Sequence, residues 1–173
     1  MLNNRRLLNF AGFGACVALL AYAIYVQFAL GIEPCPLCIF QRLAIASLGV
    51  VFLVAAIHHP RDTGSRIYAA LIAIAALVAM GIAGRHVYIQ HFPPEFPSCG
   101  APLAMMIKHQ APFDVIKKVL TGDGECSEVN WSFLGLAMPT WVLICALILG
   151  AFGVITNAGR RRNPLREQIL QRT

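Results

Sequence analysis

Apolar positions fall in four long runs, and the polar positions are gathered between them. Leu7 to Ile32, Leu43 to Ile57, Ile67 to Gly84 and Val129 to Gly159 carry no Asp, Glu, Lys or Arg. A helix of about 20 mostly apolar residues crosses the hydrocarbon layer of a membrane. The first, third and fourth runs meet that length nearly alone. The second meets it only by starting near Cys35 and taking Arg42 into the membrane. The pattern predicts an all-α membrane protein, a four-helix transmembrane bundle forming a single integral membrane domain over residues 1–173, with helices at about 7–30, 38–57, 67–88 and 138–157. A short loop (31–37) and a long loop (89–137) then lie on one side, and a polar tail (158–173) on the other. Within the long loop, Phe113, Ile116, Val119 and Leu120 recur at helical spacing, opposite Asp114, Lys117 and Lys118. They predict a short amphipathic helix, lying flat among lipid headgroups or packed within the loop. Ala11, Gly12, Gly14, Ala15 and Ala18 give the first helix small residues for close packing. Pro139 is expected to open the fourth helix, with Trp131 and Trp141 near the interface.

Composition agrees with this picture and charge orients it. Of 173 residues, 58% are hydrophobic and only 13% charged, against about 25% charged in ordinary soluble domains. Arg5 and Arg6 precede the first helix, Arg61 and Arg66 separate the second from the third, and Arg160, Arg161, Arg162, Arg166 and Arg172 follow the fourth. The two loops on the other side hold Lys108, Lys117 and Lys118 against six acids. Basic loops stay in the cytoplasm, so both termini are expected there. The first apolar run is about twice the length of a signal-peptide core and no small-x-small cleavage site follows, so it is read as a retained anchor. The net charge of +6 is thus a topology signal, and scattered arginines outside any soluble domain give no support to nucleic-acid binding.

The chemistry concentrates in Glu33-Pro34-Cys35-Pro36-Leu37-Cys38-Ile39-Phe40-Gln41-Arg42. If Pro36 opens a helix, Cys35 is its N-cap and Cys38 lies in the first turn. Both sulfurs then face unsatisfied N–H groups and the positive end of the helix dipole, which favours thiolate. Arg42 follows Cys38 by one turn on nearly the same face, and a charge at the edge of a spanning helix is a functional signal. Snorkelling to headgroups is its bland alternative. A structural zinc site is a competitor, but it wants four clustered ligands. A purely structural disulfide across so short a spacing constrains little chain entropy. Adjacent His58 and His59 do not share a helix face and read as a solvated turn. Cys16 and Cys145, inside helices one and four, read as small apolar core residues. Cys35, Cys38, Cys99 and Cys126 share one side, an even number suited to two disulfides in an oxidising compartment. Three pairings are open; Cys35–Cys38 with Cys99–Cys126 is favoured by the proximity of the first pair and the flexible loop of the second. Two disulfides, one anchored and one mobile, make a relay for thiol–disulfide exchange. No haem, flavin or nucleotide motif is present, so the electron sink should dissolve in the bilayer, as a quinone does. Arg42 suits the charge developing on it, and His86, closing helix three, suits a quinone carbonyl or a proton.

These residues resemble the DsbB family of bacterial inner-membrane thiol oxidases. The likeness covers nearly the whole chain: four helices, Cys-x-x-Cys-Ile-x-x-Arg at Cys35 to Arg42, a loop cysteine pair, His86 thirteen residues before Cys99, and Trp131-x-Phe-Leu-Gly-Leu-x-Met-Pro-x-Trp141. The resemblance implies a multi-pass protein of the bacterial inner membrane with periplasmic cysteines. In it Cys99 forms a mixed disulfide with a periplasmic DsbA-like thiol oxidase, and Cys126 exchanges with Cys35. Cys38 interacts with ubiquinone in a charge-transfer complex assisted by Arg42, with menaquinone as the anaerobic substitute, and His86 lies near the quinone. No metal is implied. The CxxC interior is Pro-Leu, and position 41 is Gln where a well-known family member has an acid; both bear on thiol potential, about 30 mV being 1.4 kcal/mol for a two-electron couple. Competing readings are a vitamin K epoxide reductase-like enzyme, which usually carries its CxxC late in the bundle, and a non-enzymatic membrane assembly subunit with structural disulfides. A transporter would want paired buried charges that these helices lack.

Overall fold

The computed structural model describes residues 4–31, 34–58, 60, 62–92, 114 and 131–158. Its main elements are helices α1 (Asn4–Leu30), α2 (Pro36–His58), α3 (Asp62–His91) and α4 (Met138–Ala158). Each is long and apolar enough to span a membrane. Proline at the start of α2, with fixed φ and no N–H to satisfy, sets where that helix begins. The helices outrun the apolar runs at several ends, most of all α3, which begins before Ile67 and continues past Tyr88. The extra turns carry Thr63, Ser65, Arg66, Gln90 and His91, polar residues that a helix keeps as it leaves the hydrocarbon. The expected amphipathic helix around 111–120, together with Cys99 and Cys126, lies outside the described residues, Asp114 excepted.

Successive helices run antiparallel and pack in sequence order, with the α3–α4 seam the most extensive and α1 closing on α4. Phe52 sits at the centre, fully buried among Cys16, Leu48, Ile72, Ala76, Ala146 and Leu149. Small residues let the helices approach this closely. A methyl group on Gly150 would stand 2.6 Å from Ala76 Cβ, and one on Gly153 would stand 2.6 Å from Ile72 and 2.7 Å from Phe52. Cys16 fills the gap above Gly49 and is buried in this core, as expected for a small hydrophobe. Phe28, Val50, Leu77, Ile148 and Ile155 point outward, where lipid replaces water as the solvent.

A polar knot ties the end of the bundle opposite the cysteines. Asn9 and Asn157 exchange amide hydrogen bonds of 3.1 and 2.9 Å between α1 and α4. Ser65 of α3 donates to the Asn157 carbonyl, and Arg5 donates to Ser65 Oγ at 3.4 Å.

Ahead of α4, in the stretch expected to be loop, a small hairpin pairs β1 (Ser132–Phe133) with β2 (Leu136–Ala137). Leu134 (φ 52°) and Gly135 (φ 78°) form its turn. Two successive positive φ values are what a mirror-image two-residue hairpin turn requires. Glycine takes that conformation readily; leucine is strained there.

Candidate functional site

The N-terminus of α2 builds the site. Cys35 caps the helix: its carbonyl accepts from Ile39 N–H at 3.2 Å, and its Sγ accepts from Cys38 N–H at 3.3 Å. A sulfur here occupies the place of a capping oxygen, receiving a first-turn N–H that has no helical partner. Cys38 Sγ lies 3.0 Å from Cys35 Sγ, so both sulfurs share the positive end of the α2 dipole.

Two walls face this pair. On one side α3 presents His86, which is buried. Its Nε2 is 3.8 Å from Cys35 Sγ and its Nδ1 is 3.2 Å from the Gln41 amide nitrogen. On the other side, between α1, α2, α4 and the hairpin, opens a cavity of about 390 Å³, within the range of small-molecule sites. Cys38, Gln41 and Arg42 line it with apolar residues of α1 and α4 and an aromatic set of Tyr22, Trp131, Phe133 and Trp141. These rings hold one another: Tyr22 meets Trp131 edge-on with centroids 6.1 Å apart, and Phe133 contacts both Trp131 and Trp141. Trp141 Nε1–H donates to the Phe133 carbonyl at 3.1 Å, fastening the hairpin to α4.

Arg42 reaches across this cavity to α1, where NH1 donates to Gln27 Oε1 and NH2 donates to the Ala23 carbonyl at 3.2 Å. The structure thus joins Cys35, Cys38, Arg42 and His86 at one end of the bundle and leaves Cys99 and Cys126 outside the described residues. His86 faces Cys35 through Nε2 and Gln41, a residue of the cavity wall, through Nδ1. One position departs from the sequence expectation. Cys145, expected in the core, is half-buried and lines the cavity. Gln27 was missed, and Gln41 was noted only for its bearing on thiol potential. Both are amides within otherwise apolar helical stretches, and a polar side chain at membrane depth was the available signal.

Cys35, Cys38 and His86 bring their ligand atoms within 4.8 Å of one another. They are the one such group among the described residues, and they supply three donors where a structural zinc takes four.

Four spanning helices with a helix-capping CxxC pair beside an apolar cavity define a multi-pass membrane protein built for thiol–disulfide chemistry. The family model described as "Disulfide bond formation protein DsbB" matches residues 5–156. The chain is 52% identical over 145 residues to the disulfide bond formation protein B of Methylococcus capsulatus, covering 83% of this chain and 88% of that one. It is 54% identical over 135 residues to the protein of the same name in Xanthomonas campestris, covering 77% and 78%. It is 44% identical over 157 residues to the Xylella fastidiosa protein, covering 89% and 91%. The chain belongs to the DsbB family, and its role is that of a membrane disulfide oxidoreductase.

Proposed function

We propose that this protein reoxidises a periplasmic DsbA-type dithiol protein and passes the electron pair to a membrane quinone, ubiquinone in the first place. The loop pair Cys99–Cys126 receives electrons from the partner, and Cys35–Cys38 receives them from the loop. The observation that carries this reading is the position of Cys38, whose sulfur neighbours Cys35 at 3.0 Å while the residue forms part of a cavity wall shared with Arg42.

The residues present fit a quinone. The cavity is largely apolar, walled by aromatic rings suited to a flat ring, and Cys38, Gln41 and Arg42 of α2 contribute to its wall. A bound quinone supplies an acceptor for two electrons and two protons. Everything else is done by the chain. A loop thiolate attacks Cys35 Sγ of the Cys35–Cys38 disulfide, the S–S bond breaks, and the electron pair stays on Cys38 as thiolate. The α2 N-terminus stabilises that charge, and Arg42, one turn further, offsets negative charge in the cavity. Gln27 and the Ala23 carbonyl hold the guanidinium in place. The arginines at both chain ends support cytoplasmic termini and cysteines at the periplasmic face of a bacterial inner membrane.

Purified protein mixed with a reduced DsbA-type protein and ubiquinone, followed by quinone absorbance, tests the assignment. Cys38→Ser is expected to abolish quinone reduction while helix content is retained, and Arg42→Ala to raise the apparent quinone KM. Retained turnover in Cys38→Ser overturns the reading.

A further inference from the structure

His86 is buried with each ring nitrogen facing a partner: Nε2 toward Sγ of Cys35, the cap of α2, at 3.8 Å and Nδ1 toward Gln41 Nε2 at 3.2 Å. Gln41 is itself buried, at 3% exposure. A neutral imidazole carries one proton, and the partner of one nitrogen decides which nitrogen holds it. With the Gln41 amide N–H donating to Nδ1, the proton lies on Nε2, directed at the Cys35 sulfur.

We propose that Gln41 is a positioning residue that fixes the His86 proton on Nε2, and that His86 acts on Cys35, favouring its thiolate. The inference rests on the reading of Cys35 as the sulfur that exchanges with the loop. In that exchange Cys35 is first attacked by one loop thiolate, giving a mixed disulfide and a Cys38 thiolate. The second loop thiolate then attacks the loop sulfur of the mixed disulfide. The bond to Cys35 breaks, a loop disulfide forms, and the electron pair leaves on Cys35. Two electrons pass from the loop to the CxxC pair. A thiol departs faster when its anion is stabilised, and a donor aimed at the sulfur does that.

Among the described residues, the other ionisable side chains at this end have their own settings. Arg42 is held on α1, and Arg85 lies over the Tyr88 ring at 5.2 Å. His91 bonds the Val87 carbonyl of its own helix. Cys145 of α4 and Tyr22 of α1 stand on the cavity wall, and Tyr25 of α1 is exposed.

The test measures iodoacetamide alkylation of Cys35 against pH by peptide mass spectrometry. It uses the full chain, reduced, in detergent and in a Cys38→Ser background, so that Cys35 titrates without its coupled neighbour. His86→Phe is expected to slow alkylation at neutral pH about tenfold, one pK unit. Gln41→Glu is expected to speed it about tenfold, because a carboxylate on Nδ1 favours an imidazolium whose charge lies nearer Cys35 than the carboxylate does. Combined with His86→Phe, the same Gln41→Glu change is expected to reverse sign and slow the reaction, since only a like charge is then added. Slower or unchanged alkylation in Gln41→Glu with His86 present overturns the proposal. So does an unchanged profile in His86→Phe. If His86→Phe loses its helix content, Gln41→Glu alone decides. The assay contains neither quinone nor dithiol partner, so a flat profile sinks this inference without touching turnover, and retained turnover in Cys38→Ser sinks the functional reading without touching the profile.

Discussion

An arginine in the first turns of a membrane helix has to be satisfied by the protein, and Arg42 is satisfied by α1. Gln27 accepts one guanidinium hydrogen bond and the Ala23 carbonyl another. Hydrogen bonds to charged groups contribute about 1.5–3 kcal/mol. Gln27→Leu should therefore release the guanidinium from its place on the wall and raise the apparent quinone KM about tenfold, with kcat changed less than about twofold. Steady-state kinetics over a quinone series check this, and an unaltered KM would mean that Arg42 needs no help from α1. Cys35, Cys38 and Arg42 were legible in the sequence because their relation is spelled out along a single helix: a cap, a first turn and the residue one turn on. The partners of His86 and Arg42 were not. Which face of α3 meets Cys35, and which amide of α1 meets Arg42, depends on how each helix is rotated about its axis, and residue spacing within one helix carries no information about its neighbour.

Helices in lipid gain nothing from hiding apolar surface from one another, so they associate through close packing and polar contacts. Both devices operate here, at different levels of the bundle. Gly153 lets Ile72 and Phe52 approach α4, so Gly153→Val forces side chains or backbone to shift and should cost about 1–3 kcal/mol. Asn157 exchanges two amide hydrogen bonds with Asn9 near the opposite end, and Asn157→Leu should cost roughly 0.6–1.7 kcal/mol, the range of interhelical hydrogen bonds. Unfolding followed by circular dichroism in detergent separates the two, and a Gly153→Val protein as stable as the parent would show that the seam can yield. The four helices themselves were readable because the bilayer demands a length, and uncharged runs advertise it. The hairpin was not. Two-residue strands have no period, and its turn places Leu134 at a positive φ where sequence rules expect Asn or Gly. Gly135 was the sole local sign.

At the scale of the whole molecule, the antiparallel order of four helices sets the start of α1 and the end of α4 at one end and the CxxC pair at the other. That separation matters because a membrane divides redox environments. Thiols stay reduced on the cytosolic side, and disulfides persist on the outer side. A relay that accepts electrons from exported proteins works only if Cys35 and Cys38 open outward. The arginines flanking the first and fourth apolar runs predict that orientation, since basic segments are retained in the cytoplasm. A membrane-impermeant maleimide applied to reduced spheroplasts should therefore modify the CxxC pair. Thr63→Cys, an exposed position at the start of α3, should react only after permeabilisation. The opposite pattern would place the CxxC pair on the reducing side, where no exported dithiol could reach it, and the proposed electron path would have no source.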